Sequence, residues 1–477
     1  MQYNFIQHRK VPSCTGQTLD VIDPSTGMVF DQLQRSNAQD IDDAVRSARE
    51  CFEGPWQSVT ALDRGRLLMK LSLLVQQHAD ELTALEQRDC GKPTRQARAD
   101  TMALARYFEF YAGACDKLHG ETLPYQNGYS VLTWREPHGV TGHIIPWNYP
   151  MQIFGRSVGG ALASGNVCVV KPAEDACLSL LRLAELAAEA GFPAGSLNMV
   201  TGYGHEVGDA LARHAGIDHI SFTGSPHVGT LIQQAAAERH CPVTLELGGK
   251  SPQIVFADAD LDQAIPVLLN AIVQNAGQTC SAGSRVLVEQ SIYEPLLERL
   301  GQALSALKVG AADSDLDAGP LIRASQLQRV QGFLDLARRD GIATVATGQV
   351  DPQAPSGGYY QAPVLLRDVP VQHRLAQEEV FGPVMAAMAF RDEAHAIELA
   401  NATAFGLVAG VWTRDGARQF RMARRLRCGQ VFINNYGAGG GVELPFGGVK
   451  SSGHGREKGF EALYGFTTLK TVAIRHD

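Results

Sequence analysis

The chain has 477 residues, past the length at which one hydrophobic core stops growing, so two or three domains are expected. With 45% hydrophobic residues, 19% charged residues and a net charge of -8, it is a globular chain with no basic excess to hold a phosphate backbone, which argues against a nucleic-acid partner. The opening MQYNFIQHRK has no apolar segment or small-residue cleavage site, and every apolar run is broken short of a bilayer span, so a cytoplasmic protein with no membrane partner is expected.

In chain order, residues 1 to 37 are polar and turn-rich, with DPSTG at Asp23 to Gly27 predicting a turn between two short strands. From Asp40 to about Ala114, apolar residues recur at three- and four-residue spacing, which predicts amphipathic helices covering a sheet. Tyr129 to Gly139 alternates like a strand and stands apart as an extended excursion. Between Asn166 and Gly248, strands VCVVKP, LNMVTG, HISFTG and PVTLELGG alternate with helices, the pattern of a parallel, doubly wound sheet that takes a dinucleotide at its carboxyl edge. A second α/β pattern follows Gly249, and the closing FTTLKTVAIRH alternates like a strand in need of a partner. Tyr129 to Gly139 or another subunit could supply that partner, so a homo-oligomer is expected, dimer or tetramer.

The chemistry centres on residues 241 to 285. Glu246 precedes Gly248 and Gly249, and Cys280 follows 34 residues later (280 minus 246) in GQTCSAGSR. A carboxylate able to act as a base and a thiol able to act as a nucleophile are each bracketed by glycines that permit close approach. The nine cysteines are odd in number and lack CxxC spacing, so neither a disulfide framework nor a metal site is expected, and most should be buried and inert. Cys280 differs in its small, polar neighbours Gln278, Thr279, Ser281 and Ser284.

Lys171 and Glu174 follow strand VCVVKP, where they either bond a dinucleotide ribose, the carboxylate favouring NAD over NADP, or form a solvated charge pair at a helix entrance. GSPHVG places Ser225 as N-cap and Pro226 at the first helical position, which aims free N–H groups at a pyrophosphate. Thr230 stands where a P-loop needs lysine, so ATP is not indicated. PWNYP fixes Asn148 between prolines, either as an oxyanion donor or as a plain turn.

Taken together, PWNYP (146 to 150), KPAE (171 to 174), FTGS (222 to 225), ELGGKSP (246 to 252), GQTCSAGSR (277 to 285), EEVFGPV (378 to 384) and PFGGVKSSGHGREKG (445 to 459) resemble the aldehyde dehydrogenase superfamily over nearly the whole chain. The resemblance implies Cys280 as nucleophile, Glu246 as general base and an oxyanion hole of Asn148 with the Cys280 backbone N–H, with Lys171 adding to the catalytic set. It implies NAD as cofactor, held by Ile145, Pro146, Trp147, Lys171, Glu174, Gly204, Gly208, Phe222, Gly224, Ser225, Val228, Gly229, Leu247, Glu379 and Phe381. It also implies a small-molecule aldehyde as substrate, with a pocket of Tyr149, Ile153, Arg156, Thr279, Ser281 and Phe446. The implied architecture is α/β: a Rossmann-like cofactor domain (1–118 and 140–247), a catalytic domain (248–452) and a small β oligomerisation domain (119–139 and 453–477).

The implied reaction adds the thiolate to the aldehyde, passes hydride to NAD and leaves a thioester that water activated by Glu246 hydrolyses. A thiol esterase without cofactor and a non-catalytic family member are the competing readings. Two departures bear on substrate. Arg156 stands where many relatives carry tryptophan, and either meets a substrate carboxylate or aromatic ring or bridges to a neighbouring helix or subunit. GAGGG at Gly437 to Gly441 predicts a roomy pocket wall.

Overall fold

The alternating strands between 140 and 246 become the parallel core of an eight-stranded sheet in the computed structural model, which describes residues 1–437 and 441–476. Across the sheet the order runs Leu197–Met199, Val167–Pro172, Val140–Ile145, His219–Thr223, Val243–Glu246. The first three strands are laid down in one direction and the next two on the opposite side of Val140–Ile145. The order therefore reverses between Val140–Ile145 and His219–Thr223, which opens a crevice at their carboxyl ends. Val167–Pro172 and His219–Thr223 are buried at every position, the mark of strands covered on both faces. Their coverings include Pro150–Ala163, Leu178–Ala190 and Pro226–Ala237.

On one side of the parallel core Asn4–Ile6 lies antiparallel to Leu197–Met199, and Arg9–Val11 forms the edge beyond it. The other is closed by Gly453–His454, antiparallel to Val243–Glu246, with Glu246 registered on Gly453. Gly453 and His454 open the segment 453–477, for which the oligomerisation domain was expected. These two residues satisfy the edge N–H and C=O groups of the Glu246 strand, which would otherwise lie unpaired beside the site.

The second sheet has seven strands, parallel except for the antiparallel edge strand Thr344–Thr347. Its central strands Pro252–Val255 and Arg285–Glu289 flank the loop that carries Cys280. In the third sheet Thr467–Arg475 pairs with Tyr129–Pro137 over nine antiparallel residues, and Thr122–Leu123 adds a short third strand. The C-terminal alternation thus finds its partner within its own chain.

The expected helices are Ala38–Glu53, Ala61–Gln77, Ala79–Cys90 and Thr94–Ala112, the first closed by a capping box of Asn37 and Asp40. The turn at DPSTG joins strands Thr18–Asp23 and Met28–Gln34 as predicted. Among the described residues no helix is long and apolar enough to cross a membrane.

Candidate active site

Glu246 ends its strand with the carboxylate turned into the protein, and both of its oxygens are buried without a hydrogen-bond partner. A Cβ on Gly447 would stand 2.7 Å from Glu246 Oε1, so the glycine of PFGG leaves room for this carboxylate. Burial pushes the Glu246 pKa well above the ordinary carboxylate value; Arg156 pulls against that, Glu457 adds to it and Arg456 opposes it. A buried carboxyl group with no partner is costly to keep, which marks it as a group held for use.

The Cys280 loop begins where helix Leu261–Val273 ends, with Asn275, Ala276 and Gly277 in succession at positive φ of 49°, 52° and 74°. Two of these residues are not glycine, so tertiary contacts must hold the turn. The Asn275 side-chain amide donates to the Asn148 carbonyl at 2.8 Å, and Gln278 Nε2 donates to the Asn275 carbonyl at 3.1 Å. Asn148 Nδ2 donates in turn to the Gln278 carbonyl at 3.0 Å, which ties PWNYP to the thiol loop. A primary amide has two N–H donors, so this bond leaves one for a ligand oxygen. A Cβ on Gly249 would lie 2.4 Å from the Cys280 carbonyl, so the ELGG and QTCS loops touch through a glycine. Cys280 is half-buried; burial pushes its thiol up to about 12, Arg156 draws it down, and Glu379 and Glu246 push it up further.

Cys280, Glu246 and Asn148 share the wall of a crevice of about 850 Å³ at the reversal of strand order. Ile145, Pro146, Trp147, Lys171, Gly204, Gly208, Phe222, Gly224, Ser225, Val228, Glu379 and Phe381 line it as well. Ser225 caps helix Pro226–Ala237, accepting from the Val228 N–H at 3.3 Å, and so presents the helix N-terminus to the crevice. Lys171 Nζ lies 2.7 Å from Glu174, the pair expected at an adenosine ribose. Glu379 accepts from the Gly249 N–H at 2.9 Å, and burial pushes its carboxyl up to about 7. Phe381 holds φ of 58° and meets Trp147 edge-on at 5.3 Å.

Glu174, Gly229 and Leu247 are not on the crevice wall. Glu174 acts from behind Lys171, and Leu247 packs against Gly229, where a Cβ would come within 2.6 Å. Sequence reasoning missed Arg323, Gln326 and Arg329, which line the crevice from the start of helix Ala324–Arg339. Arg329 donates to the Glu379 carbonyl at 2.6 Å, while Arg323 pairs with Asp175 and lies over Trp147. Their polar three-residue spacing was the available signal, but any exposed helix face shares it. A dinucleotide fits the residues present: a capped helix N-terminus for its phosphates, Lys171, held by Glu174, for one ribose and Glu379 for the other.

On the other side of the thiol, the Tyr149 hydroxyl lies 3.0 Å from Thr279 Oγ1. The Tyr149 ring rests 4.2 Å from the ammonium of Lys92, a fully buried cation held by Glu86 at 2.6 Å and Asp100 at 2.5 Å. Ile153, Ser281 and Phe446 are buried, and the Ser281 carbonyl accepts from Tyr436. Arg156 does bridge, though within its own chain and to neither a helix nor a subunit: Nε lies 2.5 Å from Glu457 Oε2, Nη2 donates to Thr223 Oγ1 at 3.2 Å, and the guanidinium lies 5.0 Å from the Phe446 ring. Glu457, unassigned from sequence, is the partner that pattern reasoning could not supply. The pocket wall expected at Gly437 to Gly441 lies in part, at residues 438 to 440, outside the described residues.

Residues 11–472 match the model of the aldehyde dehydrogenase family. The chain is 42% identical over 473 residues to an aldehyde dehydrogenase of Emericella nidulans, covering 99% of this chain and 94% of that one. It is 40% identical to the hydroxyisobutyraldehyde dehydrogenase of Mycolicibacterium austroafricanum, covering 98% and 93%. Among solved structures, a Burkholderia cenocepacia chain provisionally named an aldehyde dehydrogenase superposes with a TM-score of 0.99 at 70% identity, covering all of both chains. The NAD+ complex of a Bacillus cereus aldehyde dehydrogenase superposes at 0.97 with 39% identity, covering 100% of this chain and 97% of that one. With sequence, fold and the meeting of Cys280, Glu246 and Asn148 in agreement, the chain belongs to the aldehyde dehydrogenase family.

Proposed function

We propose that the protein oxidises an aldehyde to its carboxylic acid with NAD and water, through a thioester on Cys280 that water activated by Glu246 hydrolyses. The observation that carries this reading is Glu246, a buried carboxylate without a hydrogen-bond partner on the same crevice wall as the Cys280 thiol and the Asn148 amide. The Cys280 thiol loses its proton to solvent water and adds as the thiolate to the carbonyl carbon, and the developing oxyanion takes N–H bonds from Asn148 and the Cys280 backbone. Lys171, Ser225, Glu379 and Phe381 would hold NAD, which would supply the acceptor for the hydride that the aldehyde carbon must lose, leaving the carbonyl of the thioester. Glu246 then removes a proton from the water that attacks the thioester, and the sulfur leaves with the acid free.

Since burial raises Glu246, it retains its proton at low pH, and thioester hydrolysis should rise with pH as that proton is lost. Glu246→Gln is expected to give one burst of NADH absorbance at 340 nm and then stall, and Cys280→Ala to abolish turnover while still binding NAD. Unimpaired steady turnover in Glu246→Gln would reassign the base. Ester hydrolysis with no 340 nm signal from any aldehyde would favour the cofactor-free esterase.

For substrate, the engagement of Arg156 by Glu457 favours an aromatic aldehyde, resting among Tyr149, Ile153 and Phe446, over a carboxylate-bearing semialdehyde. The named relatives span both aliphatic and aromatic compounds, as hydroxyisobutyraldehyde dehydrogenase and a benzaldehyde dehydrogenase of Antirrhinum majus. A panel of aliphatic, aromatic and ω-carboxylate aldehydes decides it; a preference for the carboxylates would overturn the choice. We also take the protein as a cytoplasmic homo-oligomer, on free cysteines that are mostly buried and on the exposed third sheet.

A further inference from the structure

Arg156 belongs to helix Pro150–Ala163, which is buried along nearly its whole length, and its backbone carbonyl accepts from the Tyr111 hydroxyl at 3.2 Å. Its guanidinium runs along strand His219–Thr223. Thr223 takes one N–H at 3.2 Å, and Ser221, two residues earlier on the same face, donates to Glu457 Oε1 at 2.6 Å. Thr223 is registered on Glu246 in the adjacent parallel strand, roughly 4.8 Å away in the hydrogen-bonding direction. The Arg156–Glu457 pair therefore lies one strand from a carboxylate that has no hydrogen bond of its own. Arg156 and Glu457 touch at 2.5 Å without forming an aligned hydrogen bond, so they meet as charges more than as a donor and an acceptor.

We infer that Arg156 is a positioning residue for the hydrolytic base: its guanidinium, fixed by Glu457 on the strand beside Glu246, sets the electrostatic field at Glu246 and Cys280 instead of holding substrate. The inference rests on the reading of Glu246 as base. The charged and titratable groups acting on Glu246 are Arg156 from the helix, Glu457 and Arg456 from the segment after Gly453–His454, and Cys280 from its loop. Among the causes opposing burial at both Glu246 and Cys280, Arg156 is the largest, whereas Glu457 acts against it at Glu246. The two partners of one ion pair should thus move the base in opposite directions, which a merely structural bridge would not do.

The test compares Arg156→Gln, Arg156→Lys and Glu457→Gln with the unaltered protein in two measurements. One is the pH profile of steady NADH formation under conditions that show a burst. The other is the pH dependence of Cys280 alkylation by iodoacetamide in the cofactor-free enzyme, which needs no turnover. Arg156→Gln should move both midpoints to higher pH, by about one unit, and Glu457→Gln should move the turnover midpoint to lower pH. Arg156→Lys should return both close to the original values. If Arg156→Gln does not fold, the downward shift in Glu457→Gln and the retained midpoint in Arg156→Lys carry the test. Unmoved midpoints in folded variants, shifts of the same sign from both partners, or a loss confined to the KM of carboxylate aldehydes would overturn the inference. Glu246→Gln separates the two proposals: if the pH limb survives in it, the reading of Glu246 as base fails; if the limb disappears but Arg156 and Glu457 do not move it, only this inference fails.

Discussion

At Glu246 the surroundings count as much as the residue. Its carboxylate fits because residue 447 has no side chain, and a Cβ there would stand 2.7 Å from Oε1. Gly447→Ala would also set its Cβ 2.6 Å from the Gly455 carbonyl, at a backbone φ of 158° that side chains rarely adopt, so loop and carboxylate must both shift and steady turnover should fall by roughly tenfold or more. The initial NADH burst, which depends on Cys280, should persist; loss of the burst together with the steady rate would place the damage elsewhere. Cys280 and Glu246 stood out as candidates by their flanking glycines, while Asn148 was left as either a donor or a plain turn until the family resemblance gave it a role. The partner of Arg156 was not legible, since a buried arginine signals a need for an anion without naming which one.

At the scale of elements, the capped start of helix Pro226–Ala237 carries the argument for the dinucleotide. Ser225 both caps the helix and lines the crevice. Ser225→Ala should weaken the cap by about 1 kcal/mol and NAD binding modestly. Ser225→Asp keeps a good cap yet sets a negative charge where the phosphates belong, so it should weaken NAD binding more than alanine does. Titration of NAD by protein fluorescence measures both, and equal affinities would remove this helix terminus from the cofactor site. Capping was readable in the sequence because Ser-Pro at a helix start has a local cause. The break at His78, between Ala61–Gln77 and Ala79–Cys90, was not. It contains neither glycine nor proline, and the acidic Asp80 and Glu81 of the new first turn are its only local sign.

At the scale of the molecule, the three larger sheets among the described residues divide the work: one shapes the crevice, one supports the thiol loop, and the third faces outward. The third sheet exposes Trp134, Leu469 and Ile474, half-uncovered apolar side chains on strands of nine residues. If this sheet joins copies of the chain, Leu469→Glu should lower the mass seen by light scattering while far-ultraviolet circular dichroism stays unchanged. A native protein that is already monomeric would remove the sheet as an interface.

The sequence by itself determined the parallel α/β core and the residues able to do chemistry, because strand–helix alternation, caps and glycine-flanked reactive groups are written within short stretches of chain. Only the tertiary structure decided that Gly453–His454 closes the edge beside Glu246, that Glu457 claims Arg156, and that Gly249 and Gly447 bring separate loops against Cys280 and Glu246. These contacts join segments far apart in the chain, and their energies depend on burial and close approach, which no local pattern of residues specifies.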